Sequence, residues 1–235
     1  MTTSTASATD AHEHAPGEGH GHEGHHHGPA FLAHHFDTPE QQLDSAKLGM
    51  WVFLVTEVLM FGGLFAAFIL FKSFDTKVFI LAHEHLNKVQ GGTNTVVLLT
   101  SSLTMALAVR SSALGKRAAT TNYLLATIAC AGIFLVVKYF EYSHKIHDGL
   151  LPGDFFANPE LPRSAHVFFS LYFMMTGLHG IHVVIGMGLI SWVLWRNLRG
   201  DFSPEYYTAV DIVGLYWHLV DLIWIYLFPL LYLIG

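Results

Sequence analysis

The stretch "MTGLHGIHVVIG" sets His179 and His182 three residues apart in an otherwise apolar, glycine-spaced segment. Imidazoles at that spacing on a helix can reach one metal ion, as in the Glu-x-x-His class of di-metal bundles, if neighbouring helices add carboxylates or further histidines. The other apolar segments offer His218 and isolated acids, with no repeated Glu-x-x-His pattern. A bis-histidine haem would need His182 opposite His218. The alternative is that these rings bridge helices by hydrogen bonds, in a seam where Gly177, Gly180, Gly186 and Gly188 admit a close-packed neighbour. Ligand counting favours bridging over metal or haem.

The remaining ionisable groups in apolar surroundings are Glu57, Lys138, Glu141, Asp211 and Asp221. Such a group costs about 2.5 to 3.5 kcal/mol in the middle of a bilayer on insertion scales, so each must face protein or water and find a partner. Lys138 and Glu141 are an (i, i+3) pair, as are His218 and Asp221, and residues so spaced share a helix face and can satisfy each other. A carboxylate beside a histidine also orients metal ligands, so the second pair leaves a redox centre open. Glu57, in "WVFLVTEVLMFGG", has no charged residue within helical reach. Its partner must come from another helix, water or a lipid headgroup. It reads equally as a proton-handling carboxylate and as one that holds packing.

The elements that carry these groups are membrane spans. The chain of 235 residues is 52% hydrophobic and 13% charged, with 18 phenylalanines, more apolar material than a small water-soluble core uses. A span needs about 20 mostly apolar residues. Segments 48–71, 93–114, 123–142, 165–195 and 207–233 approach or exceed that. The second is interrupted by Ser and Thr, residues that close helix packing in membranes favours. The fourth would be about 46 Å long at 1.5 Å per residue, so it must tilt or protrude. Strings such as "DLIWIYLFPLLYLIG" offer no polar face, which excludes a soluble helical bundle. The fold expected is all-α, a polytopic five-helix transmembrane bundle over residues 41–235.

Residues 1–40 differ in kind, being rich in small, polar and histidine residues, and should form a disordered tail. His20, His22, His25, His26 and His27 can chelate a metal loosely, and a solvated tail is the simpler reading. The lone Cys130 excludes an internal disulfide. A formal charge of −6 without a basic cluster excludes nucleic acid as a partner. Lys47, Lys116, Arg117, Arg196 and Arg199 flank the start of the first span and the two short connections, favouring a cytoplasmic N-terminus. Lys72, Lys77, Lys88, Lys145 and Arg163 weaken that asymmetry.

In order, "LGMWVFLVTEVLMFGGLFAAF", "TNTVVLLTSSLTMA", "MTGLHGIHVVIG" and "GLYWHLVDLIWIYLF" resemble subunit III of haem-copper terminal oxidases over residues 46–234. The resemblance implies a subunit of the bacterial cytoplasmic membrane that carries no cofactor of its own and packs against the catalytic subunit I, where haem and copper reside with subunit II. It further implies bound phospholipid, support of proton uptake, and assembly with a small subunit IV or within a respiratory supercomplex. By motif, Glu57 is similar to the family's intramembrane glutamate and Glu141 with Tyr142 to its Glu-Tyr pair. His179 and His182 fall in its Gly-His signature, His218 and Asp221 in its Trp-His-Val-Asp signature. Arg196 resembles a basic residue that meets a lipid phosphate, with Arg199 beside it. Two helices that precede the Glu57 span in seven-helix members and wall a lipid cleft have no counterpart here. Five-helix members serve cytochrome c and quinol oxidases, so both donors stay open, as does an accessory role in nitric oxide reduction. A transporter or channel is the more distant alternative.

Overall fold

A computed structural model describes residues 38–233. The helices are α1 (Pro39–Phe74), α2 (Thr76–His83), α3 (Lys88–Ala113), α4 (Arg117–His147), α5 (His166–Arg199) and α6 (Thr208–Tyr232). All but α2 are long and apolar enough to cross a membrane. The five-span bundle expected from hydropathy is therefore the architecture found; α1 and α4 run past their apolar stretches at both ends, whereas α6 stops one residue short of its stretch at each end.

Local chemistry sets the boundaries. The Thr38 hydroxyl accepts the Gln41 amide at 3.1 Å and opens α1. The Asp75 backbone leaves helical geometry and separates α1 from α2, while its carboxylate caps Val78. Asn87 caps α3 through the amides of Val89 and Gln90. Gly115 (φ 69°) and Gly200 (φ 88°) turn the chain out of α3 and α5 in the left-handed region that only glycine enters freely. The segment α2 lacks the length of a span and was not foreseen. Its Phe79 interlocks with Phe68 of α1 and Phe168 of α5, at centroid distances of 5.3 and 5.4 Å.

The spans alternate in direction, so one face of the bundle carries the start of α1, the α3–α4 turn and the α5–α6 connection. This is the N-terminal face. The opposite face carries α2, the α2–α3 loop and the long connection from α4 to α5. Helix α6 is central, packed on α1, α3 and α5, while α3 lies along α4. Half of the most apolar window of α6 is buried, against 17% for α1, which rests on the outside. Trp217, Trp224, Tyr172, Tyr232 and Phe134 fill the core. Leu48, Trp51, Leu59, Leu70, Val96 and Phe140 stand exposed on the perimeter. Apolar groups both inside and outside are the pattern of a protein solvated by lipid.

Candidate functional site

The polar groups inside the bundle gather into separate clusters. Glu57 of α1 finds its partner on α5: Glu57 Oε2 lies 2.9 Å from His182 Nε2, with the side chains only 14% and 12% exposed. His182 Nδ1 is 2.8 Å from the Leu178 carbonyl, which can only accept, so Nδ1 carries a proton. The Glu57–His182 contact must then hold one further proton, on either the carboxyl or the imidazole, and the pair is neutral overall in both cases. Phe61 sets its edge against the imidazole at 5.4 Å, and the Tyr216 hydroxyl donates to the His182 carbonyl at 3.1 Å. This pair closes the inner end of a groove of about 620 Å³ between α1, α5 and α6. Met50, Phe53, Ile185, Leu189 and Trp192 line it, and it ends at Arg196 on the N-terminal face.

Arg196 is held in place there. Its Nε donates to Asp201 at 3.0 Å, and its guanidinium lies 5.2 Å from the Trp192 ring centre and 5.1 Å from that of Phe202. The left-handed Gly200 between Arg196 and Asp201 reverses the chain so that acid and base meet. Arg199 stacks on Trp195 at 3.6 Å. On the same face Lys47 ties α1 to Asp211 of α6 at 3.0 Å.

A second cluster lies toward the opposite face. Lys138 donates to Glu141 Oε2 at 2.9 Å, as their spacing foretold. Glu141 Oε1 accepts the hydroxyls of Tyr172 at 2.9 Å and Tyr232 at 2.6 Å and faces Lys145 at 3.3 Å. Lys138 also donates to the Tyr232 hydroxyl at 2.8 Å and lies 4.7 Å from the Trp224 ring centre, a cation–π contact. Tyr142 bonds Thr176 instead of joining Glu141. Sequence reasoning missed Lys145, although its (i, i+4) spacing from Glu141 was legible. Tyr172 and Tyr232 come from other helices and left no local signal. A polar cavity of about 580 Å³ opens onto Glu141 and Lys145 from this face.

The third cluster corrects an expectation. His218 and Asp221 do not satisfy each other: His218 Nδ1 lies 2.7 Å from the Ser102 hydroxyl of α3. Asp221 is buried with no hydrogen bond of good geometry to either oxygen among the described residues, and Ser102 lies beside it. The spacing placed both side chains on one face of α6, but that face meets α3, whose hydroxyls compete for the bonds. The same competition explains the Ser and Thr residues that depress the hydropathy of α3. Trp217 Nε1 donates to Ser101 at 2.6 Å, Trp224 Nε1 donates to Thr95 at 3.0 Å, and Thr104 bonds Thr127 of α4 at 2.8 Å.

His179 also departs from expectation. Neither ring nitrogen makes a hydrogen bond among the described residues, and the ring packs between Phe134 and Trp224 with centroids at 5.5 and 5.3 Å. It fills space, whereas His182 bridges α5 to α1 and His218 bridges α6 to α3. Of the glycines around them, Gly186 admits a close neighbour, since a Cβ there would meet the Trp217 ring at 2.7 Å. Gly180 and Gly188 have nothing within 4 Å of that position, and at Gly177 the Tyr142 hydroxyl is 3.8 Å away. Among the described residues no three His, Cys, Asp or Glu side chains converge as a metal site would require. The histidines at 20, 22, 25, 26 and 27 lie outside the described residues.

The chain matches the model of the family described as cytochrome c oxidase subunit III over residues 29–235. It is 30% identical over 235 residues to the cytochrome c oxidase subunit 3 of Synechocystis sp., spanning 100% of this chain and 88% of that protein. It is 30% identical over 188 residues to the quinol oxidase subunit 3 of Bacillus subtilis, covering 80% of this chain and 86% of that one. A protein of Aeropyrum pernix named heme-copper oxidase subunit I+III is 30% identical over 209 residues, which are 85% of this chain and 24% of that one.

Proposed function

Because this chain belongs to the cytochrome c oxidase subunit III family, and so is a subunit III of haem-copper oxidases, we propose that its own work is mechanical and electrostatic. It stabilises the flank of the catalytic subunit I, holds phospholipid against that flank, and keeps a neutral acid–imidazole pair near a proton entry point. Catalysis belongs to the subunits that carry haem and copper, so the assembly as a whole is the enzyme. The complex lies in the cytoplasmic membrane, with subunit II, a small subunit IV and a supercomplex as further partners. The joint name of the Aeropyrum relative supports subunit I as the direct neighbour.

The observation that carries this reading is the groove between Arg196 and the Glu57–His182 pair. Its apolar walls suit an acyl chain, and its charged mouth suits a lipid phosphate. Arg196, bonded to Asp201 and Tyr206, still offers that phosphate its remaining guanidinium N–H groups, and Arg199 adds a second charge. The proton-handling role falls to Glu57, at the inner end of the groove. Glu141 and Lys138 sit toward the opposite face and are bonded to Tyr172, Tyr232 and Lys145, so their part is to fasten α4, α5 and α6. Lys116, Arg117, Arg196, Arg199 and Lys47 support placing the N-terminal face in the cytoplasm.

The test is Glu57→Gln in the purified complex. The haem spectrum stays intact, and turnover or proton uptake falls in part, because a glutamine still bonds His182 but cannot exchange a proton. Loss of the haem spectrum refutes the reading. A cytochrome c donor follows the Synechocystis relative, which spans the whole chain. A quinol donor is a second reading favoured by the Bacillus relative at equal identity. Oxidation rates of reduced cytochrome c and of quinol by the complex separate the two.

A further inference from the structure

A second groove of about 390 Å³ runs between α1 and α6 on the side away from α5, and nothing in the proposed lipid site uses it. Trp51, Val55 and Val58 of α1 face Leu215, Leu219 and Leu222 of α6 across it. Apart from the indole N–H of Trp51, the one hydrogen-bonding side chain in its lining is His218. The Ser102 bond to Nδ1 fixes the ring, and Nε2 has no hydrogen-bond partner among the described residues. Depth decides what can supply one. His218 lies two residues from the midpoint of α6, about 3 Å along the axis at 1.5 Å per residue. The hydrocarbon layer is about 30 Å thick, so lipid carbonyls and headgroups sit more than about 10 Å from this nitrogen. Acyl chains carry no hydrogen-bonding atom. An imidazole nitrogen left unpaired against hydrocarbon is costly, and only another membrane-spanning segment brings a polar group to this level.

We infer that this groove seats a transmembrane helix of the haem-carrying catalytic subunit, which presents a hydroxyl, amide or carboxyl group to His218 Nε2 at mid-bilayer. The inference rests on the reading of the chain as an oxidase subunit III and specifies the surface by which it docks. The exposure of α1 leaves room for it: Trp51, Val55, Val58 and Leu59 are each at least half exposed, so no other part of this chain covers the groove among the described residues. Ser102 acts as a positioning residue. Whether its hydroxyl donates to Nδ1 or accepts from it determines whether Nε2 offers a proton or a lone pair to the incoming helix.

The test uses the whole complex in native membranes. A benzophenone side chain is placed singly at Val58 or Leu222 in the groove, and at Ile133 or Val136 on the exposed flank of α4. After irradiation the tagged chain is purified and its adducts are identified by mass spectrometry. Groove positions are expected to bond covalently to the haem-carrying chain, several-fold more than the α4 positions. If that chain co-purifies but the groove labels only lipid, a second copy of this chain or nothing, or labels no better than α4, the inference is overturned and the family reading stands. If no haem-carrying chain co-purifies before irradiation, both fall. As a second measurement, His218→Leu should reduce the catalytic subunit retained through a detergent wash several-fold, and His218→Gln, which keeps a hydrogen-bonding group, should restore it. Equal retention by the two variants also overturns the inference.

Discussion

Glu57, half-buried on the groove, and the buried Glu141 and Asp221 are three acids with three different environments, and the difference predicts how each tolerates change. Glu141 receives two phenols and two ammonium groups. Removing one donor leaves the rest in place, so Tyr232→Phe should lower stability by about 1 to 3 kcal/mol, the usual cost of a missing bond to a buried charged group. Glu141→Leu leaves Lys138 and Lys145 without their anion and should cost about 3 to 5 kcal/mol, enough to abolish assembly. Thermal unfolding of the purified complex measures the first, and yield of the subunit the second; equal losses would contradict the network. The histidines give a sharper contrast. His179→Phe should be nearly neutral, because that ring makes no hydrogen bond and stacks among aromatic groups. His182→Phe strips Glu57 of its partner and should destabilise. A severe effect at His179 would mean that its nitrogens have a partner the geometry does not show.

At the level of the helices, the contact of α5 with α6 turns on Gly186. A methyl group there meets the Trp217 ring at 2.7 Å, and that ring is fixed by its bond to Ser101. Gly186→Ala should therefore cost about 1 to 3 kcal/mol through overpacking, more than the gain of about 1 kcal/mol in helix propensity. Gly188→Ala, two residues on and with open space before it, should be neutral or slightly stabilising. Melting temperatures of the two variants, measured in one detergent, check the sign of each. Opposite signs assign Gly186 to packing; matching signs would not. The hydroxyls of α3 belong to the same scale. They make α3 a poor span by hydropathy and a good neighbour for α6, since each indole N–H at that contact ends on a Ser or Thr.

For the molecule as a whole, the decisive property is its orientation. The five spans place the α4–α5 connection and the α5–α6 connection on opposite faces. In a Cys130→Ser background, Asp154→Cys should react with a membrane-impermeant maleimide in intact cells, whereas Glu205→Cys should react only after the membrane is opened. The reverse pattern would put the lipid groove and Arg196 outside and remove the case for Glu57 as a group supplied from the cytoplasm. On the same scale α1 stands apart. An ion pair at Lys47, the Glu57–His182 contact and the phenylalanine cluster at Phe68 hold it, and its most apolar stretch is the least buried of the five spans. A helix so placed is the one on which the inferred docking of the catalytic subunit depends.

The chain's own pattern was enough to establish that it crosses a membrane five times. Hydropathy acts over each segment separately, and every span must satisfy its backbone internally whatever it packs against. The same locality made Lys138–Glu141 legible, because a helix brings residues three apart together without help from the rest of the fold. Pairing across helices was not legible. That Glu57 meets His182, that Glu141 gathers Tyr172 and Tyr232, and that His218 turns to Ser102 and away from Asp221 depend on how the rods are rotated against one another. Rotation is set by the fit of large core side chains such as Trp217 against Gly186, a property of two surfaces together that neither segment carries alone.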